Sequence, residues 1–206
     1  MKDIDYSLYL VTDNKNEKEF LEIIEESIKG GVNLVQLREK TLDTKNFFNL
    51  ALKVKKICSN YNIPLIINDR VDIAIAIDAD GVHVGQDDMP CTVVRKMIGK
   101  NKIVGVSTST VEESIKAEKD GADYIGSGAV FNTSTKDDAP SITKNELKKV
   151  VESVSIPTIA IGGITQENIK EFKGTKIKGI SVVSAIMNSD NPKLSAEKLK
   201  DEFNKL

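Results

Sequence analysis

Short apolar runs, each closed by polar residues or glycine, recur along the whole chain. The run at 8–12 ends at Asp13, that at 34–38 at Glu39-Lys40, and that at 63–67 at Asn68-Asp69-Arg70. The run at 81–84 ends in Gly85-Gln86-Asp87-Asp88, that at 102–106 at Ser107-Thr108, and that at 122–126 at Ser127-Gly128. The last two, 157–161 and 179–183, stop at Gly162-Gly163 and Ser184-Ala185. Runs this short and this apolar predict buried strands of the parallel type.

Helical spacing fills the gaps. Residues 17–29 place Phe20, Leu21, Ile24 and Ile28 on one stripe, and 47–58 place Phe48, Ala51, Leu52, Val54 and Ile57 on another. Residues 111–120 (Val111, Ile115, Ala117) and 147–154 read the same way, with shorter or weaker helices over 71–77, 92–98, 166–172 and 195–203. Gly30-Gly31 and Gly121 follow helical stretches, where a left-handed residue ends a helix. Eight strand-then-helix units predict a single-domain (β/α)8 TIM barrel over 1–206; a doubly wound parallel sheet is the competing arrangement.

Composition narrows the function. A chain of 206 residues that is 40% hydrophobic buries enough surface to need no staple. The net charge of −2 and 5% aromatic content argue against a nucleic-acid surface. No apolar run reaches membrane length, and the first residues lack the apolar core of a signal peptide, so a cytoplasmic protein with no membrane partner is expected. Cys58 and Cys91 form neither a disulfide framework nor a metal-ligand pair. The lone histidine, His83, excludes a histidine-clustered metal site and reads as a hydrogen-bonded packing residue.

The polar strand ends carry the chemistry. Gln36, Arg38 and Lys40 alternate with Leu37 and Glu39, so in an extended backbone they share one face, where buried cations call for an anion. Asp69 and Asp88 each follow a strand and offer oxygen ligands that suit one Mg2+ per subunit, completed by waters and substrate phosphates. The segment from Gly126 to Lys136 contributes Thr133, Ser134, Thr135 and Lys136 as donors to phosphate oxygens. Gly162-Gly163 and Val183-Ser184 add amide donors expected at helix N-termini after the last two strands. The chain thus presents a cationic, metal-assisted anion site (Arg38, Lys40, Asp69, Asp88, Lys136) and a neutral one (Thr133, Thr135, Gly163, Ser184). No base partners a serine or cysteine, so substitution at a carbon bearing pyrophosphate is expected rather than covalent catalysis.

At these motifs the chain resembles the thiamine phosphate synthase (thiamine-phosphate pyrophosphorylase) family. The resemblance rests on Tyr9-Leu10-Val11-Thr12-Asp13, Val35-Gln36-Leu37-Arg38-Glu39-Lys40, Ile67-Asn68-Asp69-Arg70, Asp80 through Asp88, Gly105-Val106-Ser107, Thr133-Ser134-Thr135-Lys136, Ile161-Gly162-Gly163-Ile164 and Val183-Ser184. It implies a barrel that joins 4-amino-5-hydroxymethyl-2-methylpyrimidine diphosphate to 4-methyl-5-(2-phosphooxyethyl)thiazole, or its carboxylated form, releasing pyrophosphate. It also implies that Gln36, Arg38, Lys40, Asn68, Ser107 and Lys136 hold the pyrimidine diphosphate, with Leu37 and Glu39 beside them. Asp69 and Asp88 would bind Mg2+, and Thr133, Thr135, Gly163, Val183 and Ser184 the thiazole phosphate. Arg38, Lys40, Ser107 and Lys136 would be the catalytic set. Two features depart from the family pattern. Ala129 and Asn132 replace two prolines of the phosphate loop, which predicts a freer backbone there, and Ser109 stands where many members carry histidine. A thiazole tautomerase-like paralogue and a non-catalytic phosphate-binding barrel are the competing functions. The partners expected are small phosphorylated substrates, and a homo-oligomer is compatible with the sequence.

Overall fold

The structure is a computed structural model that describes residues 4–13, 17–132 and 141–206. Eight strands close into a barrel in sequence order: β1 (Leu8–Val11), β2 (Leu34–Leu37), β3 (Leu65–Asn68), β4 (Gly81–Val84), β5 (Ile103–Thr108), β6 (Tyr124–Ser127), β7 (Thr158–Ile161) and β8 (Gly179–Val182). Every neighbouring pair is parallel, and β8 returns to β1 through Leu8–Ile180 and Leu10–Val182 pairing. That closure rules out the doubly wound sheet, whose edges stay open.

The helices are α1 (Glu17–Lys29), α2 (Thr44–Asn60), α3 (Val71–Ala76), α4 (Cys91–Ile98), α5 (Val111–Lys119), α6 (Lys144–Ser153), α7 (Ser184–Met187) and α8 (Pro192–Phe203). The connection between β7 and β8 is not the α-helix expected over 166–172; only a one-turn 3-10 helix forms, at Ile169–Phe172. Ile169 and Phe172, three apart, are both buried on one side of that tighter turn. Side-chain caps start several helices. Asp43 accepts from the Asn46 amide at α2, Thr110 from Glu113 at α5, and Thr143 forms a reciprocal capping box with Glu146 at α6.

Two apolar layers hold the barrel. Outward-facing strand residues such as Leu10, Val35, Leu37, Ile67 and Val82 pack against the helices in one large core. Inward-facing Tyr9, Leu34, Ile66, Ile103, Tyr124 and Ile159 plug the barrel floor with Tyr6. The helix stripes differ in places from the periodic reading. In α2 the buried face is Phe47, Leu50, Ala51, Val54 and Cys58, and Leu52 is exposed; in α5 Ser114 and Ala117 are buried and Ile115 is exposed. One apolar residue off the stripe shifts a hydrophobic arc by 100°, which is enough to mislead when a helix carries several.

Candidate active site

A cavity of about 200 Å3 opens at the C-terminal end of the strands, the end where barrels of this kind carry their chemistry. Gln36, Arg38, Lys40, Asn68, Asp69, Asp88, Ser107, Gly163, Val183 and Ser184 all line it. These residues lie up to 148 positions apart in sequence (184 − 36), and only barrel closure gathers them.

The β2 row is arranged by strand alternation. Gln36 is buried inside the barrel. Arg38 is fixed at its backbone, its amide donating to the Thr12 hydroxyl at 3.0 Å, and its guanidinium lies 3.7 Å from the Asp13 carboxylate. Lys40 reaches across to Asp69 in a short ion pair. The intervening side chains turn away from the cavity. Leu37 is in the outer core, and the Glu39 carboxylate accepts hydrogen bonds from Thr41 and from the Leu42 amide. Burial works to raise Glu39, but those donors hold its carboxyl below the usual range. Neither Leu37 nor Glu39, both expected beside the pyrimidine diphosphate, lines the cavity.

Asp69 and Asp88 come from adjacent strand ends, β3 and β4. Asp69 sits in the left-handed region with φ of 58°, a conformation tolerated by a short polar side chain, while its amide still donates to the His83 carbonyl at 2.8 Å. The strand ladder is kept and the side chain faces the cavity. Asp88 is oriented by the Gly85 amide, which donates to its Oδ2 at 2.7 Å. Both carboxylates line the same cavity. Burial first, and then the Asp88 charge, push Asp69 above the usual carboxylate range, and Lys40 only partly offsets them. A like-charged pair held together in this way fits a divalent cation, which would neutralise both. Among the described residues no group of three or more His, Cys, Asp or Glu gathers, so waters and substrate oxygens would complete the shell, as Mg2+ accepts. The neighbouring Asp87 is exposed and does not line the cavity.

The opposite rim is made of backbone and small side chains. Gly162 and Gly163 have φ of 101° and 62°, and a Cβ on Gly163 would lie 2.4 Å from the Asn132 carbonyl, so glycine is required there. This pair does not open a helix as expected; it forms a turn ahead of the 3-10 helix, because two consecutive positive φ values are incompatible with right-handed helix. Ser184 does open one, α7, with Val183 before it. Thr133, Ser134, Thr135 and Lys136 lie outside the described residues. Up to Phe131 the loop expected to be freer is tied down. Val130 and Phe131 donate to the carbonyls of Ile161 and Gly162 at 3.0 and 3.1 Å, and Ala129 accepts from Ile142 at 2.9 Å. These bonds tie residues 129–131 to the end of β7, to Gly162 and to Ile142.

Several cavity residues escaped the sequence reading. Tyr9, His83 and Ser181 all line the cavity. His83 is hydrogen-bonded as expected, but its ring faces the site: Nδ1 is 2.9 Å from the Tyr124 hydroxyl and Nε2 is 2.9 Å from Ser107 Oγ. The Ser181 hydroxyl is buried with no hydrogen-bond partner among the described residues. Alternation within β1, β4 and β8 puts these residues on one face, but only strand pairing decides which face is inside.

Comparison with known proteins agrees with the motifs. A family model described as thiamine monophosphate synthase matches residues 8–186. The chain is 61% identical to a thiamine-phosphate synthase of Methanobrevibacter smithii over 98% of both chains. It is 56% identical to one of Clostridium botulinum, over 98% of this chain and 96% of the relative. Among solved structures, a thiamine phosphate pyrophosphorylase from Pyrococcus furiosus superposes with a TM-score of 0.90 at 38% identity, covering 98% of this chain and 96% of that one. With the barrel, its lined mouth and these relatives in agreement, the chain belongs to the thiamine monophosphate synthase family.

Proposed function

We propose that this chain is a cytoplasmic transferase that condenses 4-amino-5-hydroxymethyl-2-methylpyrimidine diphosphate with the thiazole phosphate, giving thiamine phosphate and pyrophosphate. The observation that carries the reading is the meeting of Arg38, Lys40, Asp69 and Asp88 in one cavity, where burial and the charge of Asp88 raise the Asp69 carboxyl. That set answers a diphosphate and a divalent cation together. Asp69 and Asp88 would hold Mg2+, which when bound neutralises charge on the departing pyrophosphate.

The side chains do the rest. Lys40 now pairs with Asp69, yet 52% of its side chain is exposed against 20% for Asp69, so it can swing to a phosphate oxygen. Arg38, anchored through its backbone to Thr12, presents a guanidinium for two phosphate oxygens. Lys136 would join them as charge develops. Gln36, Asn68 and Ser107 would orient the pyrimidine, whose amino group donates electrons to the methylene cation left when pyrophosphate departs. The thiazole nitrogen captures that cation, with its phosphate held by Thr133, Thr135, Gly163, Val183 and Ser184. The enzyme's work is then placement and charge stabilisation. Among the described residues no helix is long and apolar enough to cross a membrane. Purified protein should release pyrophosphate only when both substrates and Mg2+ are present. Isomerisation of the thiazole without pyrophosphate release would indicate tautomerase chemistry, and binding without turnover a sensor.

A further inference from the structure

At the base of the cavity five polar side chains from five strands, four of them lining it, form one unbroken hydrogen-bonded chain. Gln36 Nε2 donates to the Tyr9 hydroxyl at 2.7 Å, the Tyr9 and Tyr124 hydroxyls are 2.7 Å apart, Tyr124 is 2.9 Å from His83 Nδ1, and His83 Nε2 is 2.9 Å from Ser107 Oγ. Gln36, Tyr9, Tyr124 and His83 are at least nine-tenths buried. Room for it is made by Gly105, where a Cβ would fall 2.1 Å from the Tyr124 ring and 2.5 Å from His83 Nδ1. Each phenol has a single proton, so the direction of one bond fixes the next. With Gln36 donating to Tyr9, the Tyr9 proton goes to Tyr124, the Tyr124 proton to His83 Nδ1, and the His83 proton must sit on Nε2 and point at Ser107. Ser107 oxygen is then an acceptor toward His83, and its own proton is left for the cavity. At the other end Gln36 has its carbonyl oxygen left over.

We propose that Tyr9, Tyr124 and His83 are positioning residues that lock the donor and acceptor roles of Gln36 and Ser107 to each other, so that the cavity presents an acceptor at Gln36 and a donor at Ser107. The ligand edge that fits is one with an amino donor and a ring-nitrogen acceptor, as an aminopyrimidine has; this substrate assignment rests on the function proposed above. Reversing one end would require all four bonds to reverse, so a ring with its donor and acceptor exchanged is rejected as a whole.

His83 is the only histidine in the chain, so its ring nitrogens give unambiguous 15N signals. The expected result in the ligand-free protein is a proton on Nε2. Tyr124→Phe should shift the tautomer population toward a mixture. It should also raise KM for the pyrimidine diphosphate about tenfold, while KM for the thiazole phosphate changes less than twofold. Tyr9→Phe, which cuts the chain on the other side of Tyr124, should act in the same direction and guards against a folding defect in either variant. A wild-type proton on Nδ1 overturns the proposal. So does a selective KM effect missing from both variants, or equal losses for both substrates, which mark a structural role only. If the pyrimidine diphosphate proves not to be a substrate, the functional reading fails, whereas the tautomer still reports on the chain itself.

Discussion

Asp69 shows how one residue can be placed at a cost to the unliganded fold. Its φ of 58° is unfavourable for a residue other than glycine, and its carboxyl is pushed up by burial and by Asp88. A carboxyl raised in the folded state resists ionisation there, so this contribution opposes folding at neutral pH and is relieved as pH falls and the group protonates. Asp69→Asn should therefore leave the metal-free melting temperature unchanged or raise it, even though the Lys40 pair is lost. If Asp69 and Asp88 hold Mg2+ as proposed, the ion should raise the melting temperature of the parent protein, and the same substitution should abolish that gain. Asp88→Asn should also lose the Mg2+ response, and Asp87→Asn, exposed and outside the cavity, should keep it; calorimetry with and without Mg2+ measures all three. Because protons compete for Asp69, Mg2+ affinity should fall on acidification starting at a higher pH than for an ordinary aspartate pair. At this scale the sequence was informative about identity and poor about direction. Asp69, Asp88 and the Gln36–Arg38–Lys40 row could be picked out as polar residues ending apolar runs. That Leu37 and Glu39 turn away, and that Tyr9 and His83 turn in, depends on pairing between strands distant in sequence.

The elements were legible wherever short-range patterning alone decides them. Eight buried strands appeared in order because each is a compact apolar run closed by a breaker, and strands of four to six residues leave little room for another reading. The connection after β7 was not legible, because the helix-like spacing of 166–172 is met in part by a single 3-10 turn, and two left-handed glycines at 162 and 163 precede it. Capping explains why α6 starts where it does. Thr143→Ala removes the acceptor for the Glu146 amide and half of a capping box, and should cost about 1 kcal/mol in denaturant unfolding with little change in KM. Gly105 in β5 tests the opposite case, a strand position where any side chain collides with an inward ring. Gly105→Ala should cost about 1–3 kcal/mol by overpacking, and it should weaken pyrimidine binding as well, since Tyr124 and His83 are the groups displaced.

Across the whole molecule, barrel closure brings two chemically different sets of residues to one mouth, which the proposed function would use for two kinds of anion. Charged groups arrive from β2, with the carboxylate pair on β3 and β4 beside them, whereas β7 and β8 bring Gly163, Val183 and Ser184. The division has a physical basis. A diphosphate that must leave with its charge is served by cations and a metal, and a monoester that is only held is served by neutral donors whose bonds change little during reaction. Substitutions on the two sides should therefore give a crossed pattern. Ser184→Ala deletes one neutral donor while the backbone amides of the rim remain, so it should cost about 0.5–1.5 kcal/mol, seen as a roughly two- to tenfold higher KM for the thiazole phosphate alone. Arg38→Ala deletes a charged, forked donor and leaves phosphate oxygens without their partner, so it should cost about 1.5–3 kcal/mol or more. That loss should appear in KM for the pyrimidine diphosphate and, because the charge grows as pyrophosphate departs, in kcat as well. Steady-state kinetics with each substrate varied in turn reads both effects. If Ser184→Ala and Arg38→Ala impair the same substrate, the two phosphates do not occupy opposite sides of the mouth, and the substrates must lie in the barrel the other way round.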